Sequence, residues 1–290
     1  MTAAPVPTLI ADTMCATGEN PLWHPDEQAL YWIDIPPGKL YRFDPETESH
    51  ELVFDAGRTI GGFTLEADGS LLLFMDRGTI GRWRDGTFDI VIDELPLASH
   101  SRFNDIIADP EGRVFAGVVE TGTESGRLLR LEKGKEPTLI MDGLTIPNGL
   151  GFTLDLTGLY FTDSYQRRVH LFDYDRASGA LRNRRIWLQT PEDGGLPDGM
   201  TVDANGDVWS ARWDGKALHH YDAAGVEVGR IGFPANQVSS IAFGGPDYET
   251  AYVTTAGGHD RAANGEKAGA LFQLDLGVRG RPEFRSRLGS

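Results

Sequence analysis

The amino-acid sequence predicts an all-β fold, a six-bladed β-propeller with four-stranded antiparallel blades around a central channel. Three observations predict it. A polar head followed by two apolar alternations around a turn recurs six times, with heads at Glu19, Gly61, Asn104, Asn148, Asp198 and Ser239 and steps of 42, 43, 44, 50 and 41 residues. The runs alternate with period two over roughly four to eight residues between clusters of Gly, Pro, Asn and Asp, as strands do. Almost no segment has the period of a long helix. A fixed repeat of roughly 40 to 50 residues matches one propeller blade, whereas a two-sheet sandwich gives short strands without a fixed period.

The elements follow in order. Pro7-Thr-Leu-Ile10 echoes the fourth-strand sequence Pro137-Thr-Leu-Ile140 and precedes any complete blade, so it is expected to clasp the last blade shut. The first blade opens with ENPLWHPDEQALYWID from Glu19 and continues with the third run KLYRFD from Lys39. The second is GGFTLEADGSLLLFMD from Gly61, turning at Asp68-Gly69. The third runs from Asn104 through a turn at Glu111-Gly112 to GRLLRLE from Gly126 and a fourth run at Thr138-Leu-Ile-Met141. NGLGFTLDLTGLYFTD from Asn148 and RVHLFD from Arg168 make the fourth. The fifth starts at Asp198, turns at Asn205-Gly206 and continues with ALHHYD from Ala217; the sixth is SSIAFGGPDYETAYVT from Ser239 with ALFQLD from Ala270. Gly and Pro are spread throughout without a linker, so residues 1–290 read as a single domain.

Composition narrows the partners. A formal net charge of −16, with Lys and Arg scattered among more numerous acids, argues against nucleic acid, whose binding needs clustered cations. The single cysteine, Cys15, permits no intrachain disulfide and no cysteine metal cluster. The first residues lack a basic region followed by an apolar run, and no apolar run approaches membrane-spanning length, so no membrane association and a cytoplasmic location are expected.

In a propeller the innermost strand of each blade lines the axis, so the six heads should converge on one volume. An isolated Asn-Gly or Asp-Gly is usually a turn. Each unit already has its hairpin turn about eight residues later, so the pairs at Asn148 and Asp198 are surplus to hairpins. Two carboxylates brought together repel unless a counter-charge joins them. Glu19 and Asp198 with Asn148 and Asn104 form an all-oxygen set suited to one divalent ion, calcium, zinc, manganese, magnesium or iron(II), with positions left for water and substrate. Other motifs are absent: there is no HExxH, G-x-S-x-G, P-loop or Rossmann fingerprint. Asp203-Ala-Asn-Gly-Asp207 begins like an EF-hand loop, but Val208 stands where Gly is needed and the repeat marks it as a hairpin. Trp32 and Trp209 read as inter-blade core, His219 and His220 as third-strand residues, and His100 and His259 as minor loop candidates. Asp34 and Asp163 read as blade-capping acids.

These residues resemble the senescence-marker protein, gluconolactonase and luciferin-regenerating-enzyme family. The resemblance rests on Gly18-Glu-Asn-Pro-Leu-Trp23, Tyr31-Trp-Ile-Asp34, Arg102-Phe-Asn-Asp105, Pro147-Asn-Gly149, Pro197-Asp-Gly199, Ala242-Phe-Gly-Gly245 and Tyr252-Val-Thr-Thr255, in order over most of the chain. It implies a six-bladed propeller with one divalent metal on Glu19, Asn148 and Asp198, substrate contacts from Arg102 and Asn104, and hydrolysis of sugar-acid lactones. Phe103 stands where many members have Pro and is expected to reshape the pocket wall; Glu120 lies about one residue from the family's acidic contact and is carried over as a substrate contact. The expected chemistry is metal-assisted attack of water on a gluconolactone- or xylonolactone-like ester, with Asp198 as general base and Arg102 gripping the ring. A small-molecule sugar lactone is the expected partner of a monomer or weak homo-oligomer. Hydrolysis of aryl or organophosphorus esters, and a non-catalytic metal- or ligand-binding propeller, remain alternatives.

Overall fold

The structure, a computed structural model, describes residues 5–289. Six four-stranded sheets form the blades, and every neighbouring pair of strands is antiparallel where a register is defined. The innermost strands are Gly18–His24, Ile60–Leu65, Phe103–Ala108, Pro147–Phe152, Leu196–Val202 and Gln237–Gly244. Each touches the next in cyclic order, and the sixth touches the first. Thr8–Ala11 pairs with Leu271–Asp275, Thr8 opposite Gln273, and supplies the outermost strand of the sixth blade, the clasp expected from the sequence.

The alternation that marked the strands survives as alternating burial mainly in third strands such as Arg168–Asp175. Inner and second strands are buried on both faces because each blade packs between two neighbours, while outer strands such as Ser49–Asp55 are largely exposed. The core is therefore a ring of inter-blade seams. Ile33, Phe63 and Leu73 share one of them, and Phe74 meets Phe103 edge-on with centroids 5.3 Å apart in another. Each such ring, fully buried, contributes roughly 1.5–3 kcal/mol. Trp32 and Trp209 lie in these seams as expected. Among the described residues helix is confined to Arg261–Asn264 and two 3-10 turns, and no helix is long and apolar enough to cross a membrane.

The blade heads open on one face of the ring; the hairpins joining first to second strands lie on the other. The C-terminal segment, residues 276–289, runs across that second face and engages all six blades. The Gly280 amide donates to the Tyr248 carbonyl, the Ala204 amide to the Arg279 carbonyl, Arg281 Nη2 to the Phe152 carbonyl at 2.7 Å, and the Arg287 amide to the Gly112 carbonyl. Fully buried Glu66 accepts from Ser286 Oγ and from the amides of Leu288 and Gly289, and Arg285 pairs with Asp26 at 2.8 Å. This strap underlies the channel, where Glu283 and Phe284 line a small cavity of about 60 Å³ that also contains Asp105.

Candidate functional site

The heads are aimed by a repeated irregularity. Every innermost strand has a register shift at its head: between Glu19 and Leu22, Ile60 and Gly62, Phe103 and Ile106, Asn148 and Leu150, Pro197 and Met200, Val238 and Ser240. Such bulges re-aim a side chain and relieve it of ladder geometry. The Asn148-Gly149 and Asp198-Gly199 pairs are thus bulges inside strands rather than turns. Their glycines permit close approach between neighbouring innermost strands: a Cβ on Gly149 would lie 2.5 Å from the Asp198 carbonyl oxygen, and one on Gly199 would lie 2.2 Å from Ser240 Oγ.

Four heads, Glu19, Asn104, Asn148 and Asp198, line one cavity of about 280 Å³ together with Arg102. All four are 4–6% exposed. The other two do not join them. A side chain at Gly61 would collide with the Phe103 carbonyl, and Ser239 is buried with its hydroxyl donating to the Gly18 carbonyl at 2.6 Å. The expectation of six converging heads is corrected to four, because one position has no room for a side chain and another binds backbone.

A directional hydrogen-bond network fixes the amides. Asn104 Nδ2 donates to the Pro147 carbonyl at 2.8 Å and to Asn148 Oδ1, while its Oδ1 accepts from Arg102 Nη1 at 2.5 Å. Asn148 Nδ2 donates to Ser164 Oγ at 2.8 Å, and Ser164 Oγ donates onward to the Pro197 carbonyl at 2.7 Å. Each prolyl carbonyl belongs to the residue before the next head.

The electrostatics are unbalanced by acid. Burial pushes the Glu19 carboxyl well above the usual range, and the charges of Asp105 and Asp198 push it further. Burial, then Asp105, does the same to Asp198. Asp105 is raised to about 7 by desolvation against the opposing pull of Arg102. Glu19 and Asp198, crowded further by the Asp105 charge and set against one guanidinium, share their cavity with the Asn148 amide, and together they are a donor set that a hard divalent ion fits, since it would supply the missing positive charge.

Above the polar floor, Ile35, Ile146, Leu196, Trp213 and the exposed Tyr165 form a mainly apolar collar. Sequence reasoning did not select these residues, nor Ser164 and Asp105. A signal was present: Ile35, Ser164, Tyr165 and Trp213 all fall at or just beyond the ends of second strands, on the head-bearing face. Phe103 is not pocket wall. It is 0% exposed in the seam between second and third blades, because period two turns it away from Arg102 and Asn104. Glu120 is exposed beyond Val114–Val118 and outside the cavity lining; its amide donates to the Thr145 carbonyl, so its backbone sits beside the rim at Ile146. Neither His100 nor His259 lines the cavity, and Asp34 caps the amides of Ala16 and Thr17 as expected.

One other cluster has metal-like composition: Asp203, Asp207 and His220. Its groups are already engaged. Asp203 accepts from the amides of Asn205 and Asp207 and from Trp209 Nε1 at 3.0 Å, while His220 pairs with Asp207 at 2.8 Å and stacks on Trp209. It is the hairpin predicted from the repeat.

Residues 17–257 match the family model described as the SMP-30/Gluconolactonase/LRE-like region, and the chain belongs to that family. Among its relatives, it is 49% identical to Pentonolactonase XacC of Haloferax volcanii over 97% of this chain and 99% of that one. It is 32% identical to Regucalcin of Xenopus laevis over 91% and 92% of the two chains. A solved structure from Agrobacterium tumefaciens, described as a calcium-binding protein, regucalcin, superposes with a TM-score of 0.90 at 26% identity over 98% of each chain.

Proposed function

We propose that this chain hydrolyses a sugar-acid lactone to its aldonic acid, with one divalent cation held by Glu19, Asn148 and Asp198. The observation that carries the reading is the convergence of those three oxygen donors with Arg102 and Asn104 on the floor of one cavity of about 280 Å³. The 49% identity to a pentonolactonase supports a pentono- or xylonolactone-like ring, and the all-oxygen donors suit calcium, magnesium, manganese, iron(II) or zinc. When bound, the ion would supply Lewis-acid polarisation of the ester carbonyl.

The chain's residues do the rest. Asp198 takes a proton from water as the water oxygen bonds to the carbonyl carbon. The ring C–O bond then breaks, and its oxygen leaves as an alcohol after recovering that proton from Asp198. Arg102, its Nη1 tied to the Asn104 and Phe103 oxygens, presents its remaining donors to the ring oxygens. The apolar collar covers the ring's C–H face and limits water around it. Glu120, outside the lining, is restricted in this reading to the rim. A cytoplasmic monomer or weak homo-oligomer belongs to the same reading.

The test is acid release, above the spontaneous rate, from pentono- and hexonolactones, an aryl acetate and a phosphotriester, by the wild-type chain and Asp198→Asn. Lactone turnover lost in the variant supports the proposal. Turnover of the aryl or phosphorus ester alone favours the other hydrolase reading, and no turnover by a folded, metal-loaded chain contradicts catalysis.

A further inference from the structure

We propose that Ser164 is a positioning residue that decides which atom of Asn148 faces the channel, and so how strongly the channel holds a divalent cation; this rests on the metal reading above. An asparagine side chain presents an acceptor on one side and two donors on the other, and a half-turn of the amide would aim N–H groups where an oxygen ligand is needed. Nothing in the shape of the amide prevents that error. Hydrogen-bond direction has to.

Ser164 supplies the direction. Its hydroxyl has one proton, and the Pro197 carbonyl 2.7 Å away accepts and cannot donate. With the proton committed there, Ser164 Oγ faces Asn148 as an acceptor, so the Asn148 group 2.8 Å away is the NH₂ and Oδ1 points the other way. Asn104 completes the lock. Its own NH₂ is pinned by the Pro147 carbonyl at 2.8 Å and donates to Asn148 Oδ1, leaving that oxygen a second lone pair for the channel. Ser164 is 3% exposed and Asn148 6%, so water does not readily substitute for either partner. The carbonyl that ends the relay belongs to the residue before Asp198, so Ser164 ties two of the three ligand positions together.

Outer partners that orient metal ligands typically change affinity by roughly 10- to 100-fold. The experiment is calorimetric titration of the metal-stripped full chain with calcium and with manganese, in a four-member cycle: wild type, Ser164→Ala, Asn148→Asp and the double variant. A carboxylate at 148 offers oxygen in either orientation. Ser164→Ala should therefore weaken binding roughly 10- to 100-fold with Asn148 present and less than about threefold with Asp at 148. Equal losses in both backgrounds overturn the proposal and make Ser164 a support of Pro197 and Asp198 instead. Unchanged affinity in Ser164→Ala overturns it while leaving the metal reading intact; a wild-type chain that binds neither of these ions, nor magnesium, zinc or iron(II) in the same titration, overturns both. If Ser164→Ala does not fold, Ser164→Cys, close in size and a weaker donor and acceptor, gives the same cycle with a smaller loss expected.

Discussion

Replacing Asp105 with Asn in the metal-free chain tests the charge imbalance of the channel. An acid whose pKa is raised by folding keeps its proton to higher pH in the folded chain than in the unfolded one. Its contribution is therefore complete below the unfolded value and is lost as pH rises through the folded value. For Asp105 that window runs from about 4 to about 7. At about 1.4 kcal/mol per pH unit, the loss approaches about 4 kcal/mol by pH 8, and Glu19 and Asp198 shift in the same direction. Urea denaturation in chelator at pH 5 and pH 8 captures about 2.8 kcal/mol of it, the part between pH 5 and the folded value, with stability taken by linear extrapolation. The wild type should be less stable at pH 8, and Asp105→Asn should remove part of that fall, gaining up to about 4 kcal/mol at pH 8. The general repulsion of an acidic surface is common to both chains and cancels in the comparison. A wild-type stability that is flat or rises from pH 5 to pH 8, with Asp105→Asn no more stable at pH 8, would show that folding does not raise the Asp105 carboxyl.

Four further outcomes follow. Asp198→Asn should lower kcat on a lactone by roughly 10²- to 10⁴-fold with unchanged far-UV circular dichroism. Trp213→Ala should raise KM several-fold while kcat moves little, since the collar contacts substrate and transition state alike; an equal fall in kcat would assign Trp213 to the chemistry. Ser286→Ala should cost about 1–3 kcal/mol in denaturant unfolding, because it withdraws a hydrogen bond from the fully buried Glu66 carboxylate. Asp207→Asn should leave calcium and manganese affinity unchanged in calorimetry, and a tenfold loss would show that the hairpin cluster, not the channel, holds the ion.

The repeat made the fold legible. A period of just over forty residues with a turn about eight residues after each head marks the blades and the hairpin at Asp203–Asp207, and the echo of Pro137-Thr-Leu-Ile140 in Pro7-Thr-Leu-Ile10 marks the clasp, which pairs as Thr8–Ala11. The same register selected Glu19, Asn104, Asn148 and Asp198, because identical repeat positions meet on the axis. Three things lay beyond it. The bulges are backbone irregularities whose sequence trace, a Gly after a polar head, is shared with turns. The collar comes from the ends of second strands and the starts of innermost ones, positions the repeat marks, but Ile35, Ile146, Tyr165, Leu196 and Trp213 share no chemistry that singles them out. The relay through Ser164 depends on the carbonyl of a residue 33 positions away, so only the assembled ring brings its members together. Phe103 shows the converse error, since proximity in sequence to Arg102 suggested the pocket wall and strand alternation sends it into a seam.

On the proposed reading, the acidic channel floor hydrolyses a lactone with the help of one divalent ion. Its most direct test is the rate of acid release from a pentonolactone by the chain stripped with chelator and then titrated with single divalent ions, followed alongside binding stoichiometry. Catalysis should fall to the spontaneous rate on stripping and return as one equivalent of ion binds. Undiminished hydrolysis by a chain shown to be free of metal, or full metal binding with no hydrolysis, would contradict it.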